Sequence, residues 1–129
     1  MKALGKHRIL ELYDCNNELL NSVDFIEDAV LQATRASGAT VIHYDFHKFS
    51  PHGVSGVVTI AESHVSIHTW PEYSYAAVDV FTCGEKVKPG IIQDALEKRL
   101  EAQRISSMQL QRGLFSDYSN KDLPFKPLK

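Results

Sequence analysis

The stretch that decides the fold runs from Val54 to Trp70: Val54-Ser55-Gly56-Val57-Val58-Thr59-Ile60-Ala61-Glu62-Ser63-His64-Val65-Ser66-Ile67-His68-Thr69-Trp70. Two runs rich in β-branched residues, Val54–Ile60 and His64–Trp70, flank Ala61-Glu62-Ser63, the pattern of two strands joined by a tight turn. A third run, Ala76–Cys83, follows the loop Pro71-Glu72-Tyr73-Ser74-Tyr75. Consecutive strands with short connections predict an antiparallel meander.

Upstream, residues 39–49 alternate, with Ile42, Tyr44 and Phe46 on one face and His43, Asp45 and His47 on the other, until Ser50-Pro51-His52-Gly53 breaks the strand. Before that, Val23, Ile26, Val30 and Ala33 recur at helical intervals; Ser22 can cap the start and Gly38 can end the helix in a left-handed conformation, giving about four turns. From Leu4 to Tyr13 the chain alternates loosely, with Leu10 and Leu12 opposed to Ile9, Glu11 and Tyr13, and Asp14-Cys15-Asn16-Asn17 ends that strand.

Downstream, Pro89 suits the first turn of a second helix with an apolar face of Ile91, Ile92, Ala95, Leu96 and Leu100, and Ile105–Gln111 can form a last strand. The tail after Gly113 reads as irregular or docked on a neighbour. The order β-α-β-β-β-β-α-β predicts an α+β fold: a two-layer sandwich, with two helices on one face of a mainly antiparallel sheet.

With 129 residues and 43% hydrophobic content the chain suits one domain, residues 1–129. Fourteen Lys and Arg against 16 Asp and Glu leave a formal charge of -2, so neither nucleic acid nor an anionic membrane is an expected partner. The first residues, Met1-Lys2-Ala3-Leu4-Gly5-Lys6-His7, have no apolar core behind them, and no run approaches membrane-spanning length; a cytoplasmic protein is expected. Cys15 and Cys83 lie far apart and form neither a metal spacing nor a disulfide framework.

Six histidines raise the question of a metal, since His43 and His47, like His64 and His68, have the four-residue spacing of helical zinc sites. On strands that spacing spans roughly 13 Å, too far for two ligands of one ion, so no metal is expected. Ser55 in Gly53-Val54-Ser55-Gly56-Val57 suggests a hydrolase nucleophile, but Val57 occupies the second flanking glycine position and a strand follows. If the Pro71–Tyr75 loop sets the register, Cys83 comes opposite Glu62 and Ser63, and folding about Ala61-Glu62 brings Ser55 opposite His68. Each pair joins an alcohol to a proton-transfer group. Taken singly, Cys83 suits a small buried side chain, His68 a hydrogen-bonded strand residue and Ser63 a turn.

At these residues the sequence resembles the prokaryotic S-adenosylmethionine decarboxylase proenzymes of the short, metal-independent type. The resemblance rests on Phe49-Ser50-Pro51-His52-Gly53-Val54-Ser55-Gly56-Val57-Val58, Ala61-Glu62-Ser63-His64, His68-Thr69-Trp70-Pro71-Glu72-Tyr73 and Phe81-Thr82-Cys83-Gly84, in that order. It implies self-cleavage between Glu62 and Ser63 into a β chain, 1–62, and an α chain, 63–129. Ser63 becomes a pyruvoyl group that serves as cofactor, with neither metal nor pyridoxal phosphate.

The resemblance further implies that this group forms a Schiff base with the amine of S-adenosylmethionine and releases carbon dioxide, supplying the aminopropyl donor for spermidine synthesis. His68 is implied as the processing base, Ser55 as an aid to ester formation and Cys83 as the proton donor to the α-carbon. Phe49 is implied to stack on adenine and Glu72 to accept hydrogen bonds from the ribose; Trp70, Tyr73 and Tyr75 are candidates to face the sulfonium. A thiol has an ordinary pKa near 8.5, which suits proton delivery at neutral pH.

One expectation is geometric. On an extended strand His68 lies roughly 16 Å from its own Ser63 and on the opposite face, so a homodimer sharing Ser63 and Cys83 of one protomer with Ser55 and His68 of the other is expected. The rival readings are a pyruvoyl-dependent arginine or ornithine decarboxylase on the same scaffold and a catalytically silent binding partner.

Overall fold

The computed structural model describes residues 3–115. Six strands, β1 (Gly5–Tyr13), β2 (Val41–Lys48), β3 (Val54–Ile60), β4 (Ser63–Trp70), β5 (Tyr75–Thr82) and β6 (Arg104–Arg112), form one sheet in the order β2-β3-β4-β5-β1-β6. Every neighbouring pair is antiparallel; β3 to β5 form the expected meander, and β2 extends it by one strand. The helices are α1 (Asn17–Leu20), α2 (Val23–Ala36) and α3 (Pro89–Arg99), with a 3-10 turn at Pro71–Tyr73.

Alternation produces the two layers. Along β5, Ala76, Val78, Val80 and Thr82 are buried while Tyr75, Ala77, Asp79 and Phe81 are less so. Leu10, Leu12, Val58, Val65, Ile67, Val78 and Val80 join Ile26 and Val30 of α2 and Ile92 and Leu96 of α3 in one core. Each large side chain buried in this way stabilises the fold by about 1.5–3 kcal/mol. The other sheet face carries polar and aromatic groups, among them His64, His68, Glu11 and Tyr75.

Local signals set the helix ends. Ser22 Oγ accepts from the Phe25 N–H at 3.2 Å at the start of α2, and Gly38 beyond its end has φ +94°, a conformation glycine adopts without a Cβ clash. Two expectations need correction. The break at Asp14–Asn17 runs into the short helix α1, because the Asn16 side chain accepts from the Glu18 and Leu19 N–H groups at 3.0 and 3.2 Å. Ile91 is 42% exposed; the core stripe of α3 continues through Ile92, Leu96 and Leu100, four residues apart, and turns Ile91 outward. Of the tail after Gly113, residues 116–129 lie outside the described residues.

Candidate active site

The turn between β3 and β4 is built around Glu62 and Ser63. Ser63 opens β4 with φ +142°, a conformation that costs a non-glycine residue about 1–3 kcal/mol. Its Oγ lies 3.2 Å from Cys83 Sγ, where either atom can donate. The Cys83 N–H donates to the Glu62 carbonyl oxygen at 2.8 Å. Cys83 follows the last residue of β5, and Gly84, with φ +78°, turns the chain away behind it. The carbonyl preceding Ser63 is thereby polarised by a fixed N–H donor, as in an oxyanion hole.

The second pair lies towards the other end of β4. Ser55 and His68 are register partners, and Ser55 Oγ is 2.8 Å from His68 Nδ1. Val65, Ile67 and Thr69 are buried under the helices, so His64, His68 and Trp70 face away from them. The structure thus joins Ser63 to Cys83 and Ser55 to His68, while five residues of extended chain, about 16 Å, separate His68 from Ser63. His43 and His47 share β2, as His64 and His68 share β4, so neither pair converges on one ion. Among the described residues no cluster of three His, Cys, Asp or Glu side chains suits a metal ion.

Phe49 is not among the residues that line the cleft at Glu72. Phe49 is held by its N–H donating to the Gly53 carbonyl at 2.8 Å, and its ring meets the His47 ring edge-on at 4.6 Å. Glu72, on the 3-10 turn, lines a cleft of about 360 Å³ with Asn17, Glu18, Asn21, His52 and Pro71. The aromatic candidates gather elsewhere: Trp70, Tyr73 and Tyr75 line a cleft of about 350 Å³ with Tyr13 and Glu11. Tyr75 donates to the Glu11 carboxylate at 2.7 Å, and burial with that carboxylate pushes its phenol pKa up.

The two cysteines differ in setting. Cys15 is buried, and desolvation, aided by Asp14, pushes its thiol up to about 11, which leaves little thiolate at neutral pH. Cys83 is half-buried beside Ser63. Sequence reasoning missed Thr40, Lys86 and the place of Glu62, whose side chain is nearly buried. Its Oε1 accepts from the Thr40 N–H at 3.1 Å, and its Oε2 lies 3.6 Å from Lys86 Nζ. The one hint was an acidic residue inside a tight turn.

The comparisons place this α+β sandwich, with a serine and a thiol at one end of a central strand and a serine and a histidine towards the other, among the small decarboxylases. The chain belongs to the S-adenosylmethionine decarboxylase family, whose model matches residues 6–113. An S-adenosylmethionine decarboxylase proenzyme of Thermotoga petrophila is 48% identical over 127 residues, 98% of each chain. That of Thermosipho melanesiensis is 50% identical over 117 residues, 91% of this chain and 90% of its own. The crystal structure of the adenosylmethionine decarboxylase from Aquifex aeolicus superposes with a TM-score of 0.84 at 36% identity, covering 94% of this chain and all of that one.

Proposed function

We propose that this chain is an S-adenosylmethionine decarboxylase made as a proenzyme, which cuts itself between Glu62 and Ser63 into a β chain, 1–62, and an α chain, 63–129, that starts with a pyruvoyl group. The observation that carries the reading is the turn itself, with Ser63 Oγ 3.2 Å from Cys83 Sγ and the Cys83 N–H 2.8 Å from the Glu62 carbonyl oxygen. These residues fit such a group, since a β-hydroxyl can add to its own preceding carbonyl and later leave by elimination.

In this reading Ser63 Oγ adds to the Glu62 carbonyl carbon while the Cys83 N–H steadies the charge on its oxygen. The Glu62–Ser63 C–N bond breaks, giving an ester and a free amine. A base then takes the Ser63 Cα proton, the Cβ–Oγ bond breaks and Glu62 departs as a carboxylate. The enamine left behind becomes an imine, which water hydrolyses with loss of ammonia to leave the ketone. Relief of the positive φ at Ser63 favours the forward direction.

The pyruvoyl group supplies a carbonyl that captures the substrate amine and takes up the electron pair as carbon dioxide leaves. Cys83 then delivers a proton to the substrate α-carbon, Phe49 stacks on the adenine and Glu72 accepts from the ribose hydroxyls. His68 is the processing base and Ser55 assists, both provided by the partner subunit of a homodimer. The extended span between His68 and its own Ser63 supports sharing. So does the sheet face turned from the helices: Val57, 44% exposed, and Met108, 59% exposed, lie on it and offer apolar surface to a second sheet.

Among the described residues no helix is long and apolar enough to cross a membrane, and a cytoplasmic location is part of the proposal. The family match and the named relatives favour S-adenosylmethionine over arginine or ornithine, and an enzyme over a silent partner. Intact-mass analysis of the purified protein tests the cut. Fragments 1–62 and 63–129, the second with the pyruvoyl mass, are expected; a whole chain under native conditions overturns the reading. Product analysis with each of the three substrates tests the pocket.

A further inference from the structure

Glu62 stands on the acyl side of the proposed cut, and its side chain is only 7% exposed although it sits in a turn. A turn does not require a buried carboxylate, and burying one is unfavourable unless it is paired and hydrogen-bonded. Here it is held from two directions. Thr40, just before β2, donates its N–H to Glu62 Oε1 at 3.1 Å and accepts from the Ala61 N–H at 2.9 Å. Lys86, in the loop after β5, brings its Nζ to 3.6 Å from Glu62 Oε2 and donates to Thr40 Oγ1 at 2.7 Å.

We infer that Lys86 is a positioning residue for self-cleavage: with Thr40 it holds the Glu62 side chain, so that the Glu62 carbonyl stays under the Cys83 N–H while Ser63 Oγ adds to its carbon. This rests on the cut proposed above. With the side chain tied to β2 and Lys86, and the carbonyl tied to Cys83, Glu62 has little freedom to rotate its carbonyl away from the attacking hydroxyl. The same ammonium acts again after the cut. Elimination leaves an α-carboxylate on Glu62, the residue that already carries the buried side-chain carboxylate, and like charges on one residue repel. Lys86 is the cation in place to balance them.

The role requires effects that a merely structural lysine does not produce. Newly synthesised Lys86→Met proenzyme, followed by intact mass, is expected to cleave about tenfold more slowly than wild type. Lys86→Arg, which keeps the charge, is expected to restore most of the rate. Lys86→Met should also lower the melting temperature of the cleaved protein more than that of an uncleavable Ser63→Ala chain.

Glu62→Gln, which breaks the same ion pair while Lys86 stays, is expected to slow cleavage to a similar degree, and wild-type cleavage in it overturns the inference even if Lys86→Met folds poorly. Because Glu62→Gln already removes the ion pair, adding Lys86→Met should slow cleavage little further. Wild-type cleavage rates in Lys86→Met overturn the inference. So does a Lys86→Met defect of equal size in the Glu62→Gln background, or an equal loss of melting temperature in cut and uncut chains. If instead the wild-type chain stays whole, the proposed function itself fails and the inference with it.

Discussion

Ser55 Oγ lies 2.8 Å from His68 Nδ1 across β3 and β4, on the sheet face turned away from the helices. Ser63 opens the same strand five residues earlier, at the other end of the span. An extended chain does not fold back over that distance, and the proposed function therefore draws Ser55 and His68 from the partner subunit.

Mixing two disabled chains checks this. Chains carrying Ser63→Ala and Cys83→Ala, paired with chains carrying Ser55→Ala and His68→Ala, are expected to cleave the intact Ser63 in confirmed heterodimers, while neither homodimer cleaves. Mass analysis of isolated heterodimers reads the result, and an uncut chain in every heterodimer counts against sharing.

In the proposed function Cys83 contributes two groups with separate tasks. Its backbone N–H bonds the Glu62 carbonyl and survives substitution, whereas its thiol, 3.2 Å from Ser63 Oγ, does not. Cys83→Ala is therefore expected to retain cleavage while its kcat falls by about 10²–10⁴-fold, the usual contribution of a positioned proton donor. Total loss of cleavage in a folded Cys83→Ala protein would place the thiol in processing as well.

His64 gives stability a pH dependence. Burial is the main cause that lowers its pKa below the ordinary 6.5, His7 adds to it and Asp79 opposes. A folded value below the unfolded one means that the unfolded chain takes up the proton first. The contribution of His64 is thus intact above about pH 6.5 and lost as pH falls through the lower folded value. Melting temperatures between pH 8 and 5 should fall less steeply for His64→Gln than for wild type; parallel curves would contradict this.

Gly56 lies beneath the ring of Phe46, its register partner on β2, and a Cβ there would collide with that ring. Gly56→Ala is expected to destabilise by about 1–3 kcal/mol through overpacking. Adding Phe46→Leu should recover part of the loss, since the smaller side chain vacates the space. Urea unfolding midpoints of the two variants measure both effects.

The meander, the helix caps and both alcohol pairs were legible in the sequence. Period-two alternation and short connections are local properties, and a tight turn followed by a short loop leaves few registers in which Ser55 can miss His68. Ile91 and α1 were misread for equally local reasons: one apolar residue at the edge of a helical stripe looks like core, and a four-residue helix offers too little periodicity to register. The ring contact of Phe49 with His47 and the cleft shared by Glu11 and Tyr75 had no local signature.

By itself, then, the sequence determined the strand order of the meander, the pairing across its hairpins and the motif set that places the chain in its family. Only the tertiary structure decided what holds the turn at Ser63. The φ of that residue, the Cys83 N–H aimed at the Glu62 carbonyl and the hold of Thr40 and Lys86 on the Glu62 carboxylate all depend on where the start of β2 and the loop after β5 come to rest. Side-chain contacts between such distant segments follow from packing of the whole sheet, which no local pattern encodes.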